Sequence, residues 1–70
     1  MPTPRELANR IAQRIVCRTH GRVRRVTVQL EGEQVTLRGD AATYYAKRTA
    51  FDAASEMLTG RTLINAIEVI

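Results

Sequence analysis

The stretch Val26-Thr-Val-Gln-Leu-Glu-Gly-Glu-Gln-Val-Thr-Leu-Arg-Gly39 leaves this chain few choices. Val26, Val28 and Leu30 alternate with Thr27 and Gln29, and Val35 and Leu37 alternate with Thr36 and Arg38, so each arm has one apolar and one polar side. Two such arms joined through Glu31-Gly32-Glu33, where Gly32 can take a positive φ, predict a half-buried antiparallel hairpin. The rest of the chain has to cover its apolar face.

Two segments are patterned for that task. Thr3-Pro4-Arg5-Glu6 is a helix start: the Thr3 hydroxyl can cap the first turn, Pro4 sits where its missing N–H costs nothing, and Glu6 can reach back. Leu7, Ala8, Ile11, Ala12, Ile15 and Val16 then share one side, with Glu6, Asn9, Arg10, Gln13 and Arg14 on the other, and Gly21 after His20 reads as the left-handed cap. A stripe above a basic face also suits a membrane surface, but the waiting hairpin makes core the simpler reading. From Tyr44 to Leu58, Ala46, Ala50, Ala53, Ala54, Met57 and Leu58 form a second stripe with Phe51 on its edge, opposite Tyr45, Arg48, Asp52 and Glu56. Asp40 or Thr43 can cap this helix, and Thr59-Gly60 closes it. So many alanines predict close approach to the sheet or to the first helix. Tyr44 and Tyr45 read as boundary packing residues with wetted hydroxyls.

Leu63-Ile64-Asn65-Ala66-Ile67-Glu68-Val69-Ile70 predicts a third strand. With Leu63, Ile67 and Val69 toward the helices, Ile64 and Ile70 form an apolar strip on the open face, which together with a terminal edge strand offers a route to a homo-oligomer. The order is α-β-β-α-β, an α+β fold with both helices packed on one face of a three-stranded sheet. A right-handed crossover through the second helix makes strand three parallel to strand two and the sheet mixed.

Composition narrows the function. A chain of 70 residues is a single domain, 1–70, with little room for a deep catalytic cleft. No segment approaches the ~20 apolar residues of a membrane span. One cysteine cannot form an internal disulfide, and one histidine with one cysteine cannot furnish a zinc site, so neither metal nor cofactor is expected. Met1-Pro2-Thr3-Pro4 enters helical pattern without an apolar leader, which predicts a cytoplasmic protein as written and an envelope-associated one if the sequence belongs to a longer exported chain. Cys17 lies near Arg10 and Arg14, which would favour its thiolate, and His20 is close in sequence. A nucleophile and base also need a pocket and an orienting group, and no such constellation is visible; the chain does not read as an enzyme.

The net charge is +4 with a pI near 10.2, and Arg18, His20, Arg22, Arg24, Arg25 and Arg38 form the densest basic cluster. Helix end and strand entry adjoin in sequence, so most of these charges are expected at one end of the domain. Arg18, Arg22, Arg24, Arg25 and Arg38 are therefore the candidate contacts to an anionic ligand. The same arginines also serve solubility. Nucleic acid is the alternative partner through the same cluster, although no aromatics interleave with it, and both a Gly-x-x-Gly loop and a strand-borne aromatic pair are missing.

The leading helix, the hairpin with its terminal aliphatic-x-Gly at Leu37-Arg38-Gly39, the alanine-rich helix, and the closing Leu63-Ile64-Asn65-Ala66-Ile67-Glu68-Val69 together resemble the BON (bacterial OsmY and nodulation) domain over nearly the whole chain. Gly32, Gly39 and Asn65 match its motif positions as backbone and turn determinants, to which Gly21 and Gly60 add helix caps. Arg61 stands where members carry an aliphatic residue, and one residue is missing before Leu63. The resemblance implies a non-enzymatic binding module, associated with envelope proteins, that contacts phospholipid membranes or mediates attachment; joined to the arginine cluster, it makes an anionic phospholipid surface or a protein the expected partner.

Overall fold

The computed structural model describes residues 3–70. The reading of Met1 and Pro2 as a leaderless start lies outside them. The elements follow the expected order: α1 (Pro4–Arg18), β1 (Val23–Glu31), β2 (Gln34–Ala41), α2 (Tyr44–Met57) and β3 (Thr62–Val69). The sheet runs β1-β2-β3, antiparallel across the first pair and parallel across the second. This is the mixed, three-stranded α+β arrangement that the patterning requires.

Local chemistry sets the element ends. The Thr3 hydroxyl accepts from the Glu6 N–H at 3.2 Å, and among the described residues only this half of the capping box forms. At the other end of α1, the His20 N–H donates to the Cys17 carbonyl at 3.3 Å and the Gly21 N–H to the Val16 carbonyl at 3.0 Å. That is a Schellman motif, in which the left-handed position next to the cap belongs to His20 (φ 53°), with Gly21 (φ 76°) following it. The expectation that Gly21 is the cap is thus shifted by one residue. Thr43 wins the competition to cap α2, accepting from the Ala46 N–H at 3.0 Å. Between β1 and β2 the turn has a positive φ at Gly32 (59°) and not at Glu33, the signature of a type II′ connection.

β1 begins at Val23, three residues before the predicted hairpin, because it contains a bulge. Arg24 pairs with Asp40 and Thr27 with Arg38, which leaves Arg25 and Val26 opposite Gly39 alone. The extra residue resets the alternation. Without it Val23 and Val28, an odd number of positions apart, would face opposite sides; with it Val23 is buried and Val28 packs against the same core.

That core is one layer between sheet and helices. Ile11 and Ile15 of α1, Val35, Leu37 and Ala41 of β2, Ala50, Ala53 and Ala54 of α2 and Ile67 of β3 are at most 1% exposed. The alanines bring α2 close. Two sequence expectations fail at the margins of this layer. Val16 is 44% exposed on the flank of α1, which does not reach past β1 on that side, and Val69 is 37% exposed at the end of β3. The sheet's other face is polar: Thr36 lies beside Gln29 and Ile64, and Arg38 beside Thr27 and Ala66. The predicted apolar strip is therefore interrupted, with Ile64 set among Thr36, Thr62 and Ala66 and separated from Ile70 by Glu68. Among the described residues no helix is long and apolar enough to cross a membrane.

Candidate functional site

The bulge and the end of α1 lie at the same corner, and the arginines there divide into two groups. Gly21, Arg22, Arg24 and Arg25 line one side of a cavity of about 520 Å³, with Asp40, Ala42 and Ile70 on the other. The backbone holds this rim in place. The Ala42 N–H donates to the Arg22 carbonyl at 3.0 Å, and the Ile70 N–H to the Ala41 carbonyl at 2.9 Å, so all three strand ends are tied together.

Arg25 occupies the left-handed region (φ 54°), a conformation that costs an L-residue with a Cβ roughly 1–2 kcal/mol. Its Nε lies 2.9 Å from the Asp40 Oδ2, and both residues line the cavity. Gly39 makes this geometry possible. A Cβ on it would lie 2.9 Å from the Arg24 carbonyl oxygen and 3.4 Å from the Val26 Cα, so no other residue lets the bulge sit against β2 undisturbed.

Arg22 and Arg24 are exposed and form no ion pair among the described residues. Arg18 is spent elsewhere: its Nη1 lies 2.8 Å from the Glu56 Oε2, and the Arg14 Nη2 lies 3.3 Å from the same oxygen. The hydrogen bonds from Arg18 and then Arg14, reinforced by their charge, hold the Glu56 carboxyl below the usual carboxylate range. Arg18 thus joins α1 to α2. Arg38 stands exposed on the open face of the sheet and does not line the cavity. Of the five candidate arginines, three line the same cavity, one is paired with Glu56 and one lies apart.

His20 lines a separate small hollow with Arg18, Arg22 and Tyr45, whereas Cys17 lines a shallow groove with Ala12, Gln13, Val16 and Val26. No cluster of three or more metal-ligating side chains occurs among the described residues.

Sequence reasoning missed two participants. Asp40 looked like a helix cap; once Thr43 takes that role, its carboxylate is left to orient Arg25. Thr19 is 4% exposed, and its hydroxyl donates to the Ile15 carbonyl at 2.7 Å, closing the last turn of α1 beneath the arginines. Nothing in its neighbours' hydropathy marks it. The corner is a concave surface lined by three arginines and one carboxylate, which is paired with Arg25. No family model, no curated protein sequence and no solved structure matches the chain.

Proposed function

We propose that the chain is a non-catalytic binding module of BON type that holds the phosphate of an anionic phospholipid headgroup at the Arg22, Arg24 and Arg25 corner. The observation that carries this reading is that three arginines line one concavity, two of them without a counter-ion among the described residues. Guanidinium forks match phosphate oxygens, and unpaired ones give up little to meet them. Ala42 and the 78%-exposed Ile70 add an apolar side to the rim, which suits an interface between headgroup and acyl chain. The net charge of +4 draws the domain to a negative surface.

The test is co-sedimentation with vesicles of zwitterionic lipid alone and with added anionic lipid, at low and physiological salt. Each arginine near an anionic leaflet contributes about 1 kcal/mol, so Arg22→Ala with Arg24→Ala is expected to weaken binding about 30-fold. Equal, negligible pelleting on both vesicles refutes the lipid reading. Binding to oligonucleotides that exceeds binding to vesicles at physiological salt reassigns the corner to nucleic-acid phosphates.

A further inference from the structure

From the free edge of β1, which begins at the same arginine-rich corner, we infer that two copies of this chain join edge to edge through β1, antiparallel about a two-fold axis at Val28. The first support is the direction of the backbone groups. The Thr62 N–H donates to the Glu33 carbonyl and the Ile70 N–H to the Ala41 carbonyl, so odd-numbered β2 residues face β3 and even-numbered ones face β1. Gln34, Thr36 and Arg38 therefore bond Glu31, Gln29 and Thr27, which leaves the N–H and C=O of Val26, Val28 and Leu30 pointing away from the sheet. An antiparallel copy centred on Val28 meets this row in register. Val28 exchanges both bonds with Val28 of the partner subunit, and Val26 does so with Leu30 of the partner subunit. The bulge limits the ladder at Val26.

The side chains agree with the backbone. Val26, Val28 and Leu30 lie on the helix side of the sheet yet are only partly buried, and Val26 lines a groove with Ala12, Gln13, Val16 and Cys17 of α1. Val16 is 44% exposed there, and the small side chains around it let a second α1 approach closely.

Charge chooses the partner. Along β1 the basic end, Arg22 to Arg25, and the acidic end, Glu31 with Glu33 in the turn, are separated by an uncharged stretch. An antiparallel copy sets each basic end beside an acidic one, twice per dimer, so the complement to this edge is the edge itself. The other free edge is partly closed from within. The Ile67 N–H donates to the Asn65 Oδ1 at 3.3 Å, and the Asn65 Nδ2 donates to the Lys47 carbonyl at 3.3 Å, which removes a β3 donor and ties the strand to α2.

Sedimentation velocity under reducing conditions, which exclude a Cys17 cross-link, tests the inference on the whole chain without lipid. The expected result is a concentration-dependent shift from the 7.9 kDa monomer to twice that mass. Hydrogen exchange in the dimer is expected to show the Val28 and Leu30 amides slowed at least tenfold and the Leu63 and Val69 amides unchanged. Two charge variants sharpen it: Glu31→Lys/Glu33→Lys and Arg24→Glu/Arg25→Glu, each with folding checked by circular dichroism, should stay monomeric alone and associate when mixed. A monomer at every concentration up to about 1 mM overturns the inference. So does a dimer whose Val28 amide exchanges as fast as in the monomer. Both of these outcomes are read on the unmodified chain, so they decide the matter even if a variant fails to fold.

Discussion

Two residues set the strain at the bulge, and they sit opposite each other. Arg25 holds a left-handed conformation that glycine adopts freely, and Gly39 leaves room for the bulge that this conformation creates. The Arg25 side chain is 86% exposed, so its ion pair with Asp40 offsets little of the backbone cost. Arg25→Gly is accordingly expected to raise stability by about 1 kcal/mol, read as a higher denaturant midpoint, while weakening vesicle binding. A lower midpoint would show that the Asp40 contact outweighs the backbone cost. Gly39→Ala is expected to act in the opposite direction. Its Cβ would meet the Arg24 carbonyl oxygen at 2.9 Å, and because that neighbour is backbone, the bulge itself must shift. A loss of about 1–3 kcal/mol follows, the cost typical of overpacking, together with disordered resonances at Arg24 and Arg25. The pair places backbone strain at the corner that Arg22, Arg24 and Arg25 line.

At the scale of elements, α1 and α2 are held by alanine contacts inside and by Glu56 outside. Glu56 accepts from both Arg18 and Arg14, and its carboxyl is thereby held below its usual range. A depressed folded-state value means that the stabilisation is fully present above the unfolded carboxyl value and is lost as pH falls through the folded one. Glu56→Gln should therefore lower the thermal midpoint at pH 7 and make no difference in acid strong enough to neutralise the native side chain as well; a gap that persists there would mean that Gln disturbs packing instead. The groups are exposed, so the shift at pH 7 is small and shrinks further in high salt. On the other side of α2, Asn65 takes a comparable role through neutral hydrogen bonds to Lys47 and Ile67. Asn65→Ala is expected to cost about 1 kcal/mol and to release the Ile67 amide to faster exchange, with no dependence on pH.

For the whole molecule, what the sequence disclosed and what it hid follow one division. Alternation in Val26–Leu30 and Val35–Leu37, and helical stripes ending in Ile11, Ile15, Ala50 and Ala53, prescribe the order α-β-β-α-β because each pattern is local and each must bury one side. The bulge escaped because Val23 breaks the alternation and Arg25 is not a residue type that marks a left-handed position. The arginine cluster was legible as a run of charge, but its division was not: the partner that neutralises Arg18 lies 38 residues away, across a helix contact that only the assembled layer creates. The same dependence on assembly sets the cooperativity of folding. Ile11 and Ile15 come from α1, Leu37 from β2, Ala53 from α2 and Ile67 from β3, all with essentially no exposure, and no element has a second core to fall back on. A domain of this size buries only about 60% of its unfolded surface, so its reserve of stability is slim. Ile15→Ala removes a fully buried side chain and is expected to cost about 2–5 kcal/mol. If the domain is one cooperative unit, hydrogen exchange of the Val35 and Leu37 amides in the central strand should accelerate by the same free energy as that of amides within α1. An unchanged rate at Leu37 beside a faster one in α1 would instead make α1 a separable cover, and the sheet would then owe its stability to α2 and β3 alone.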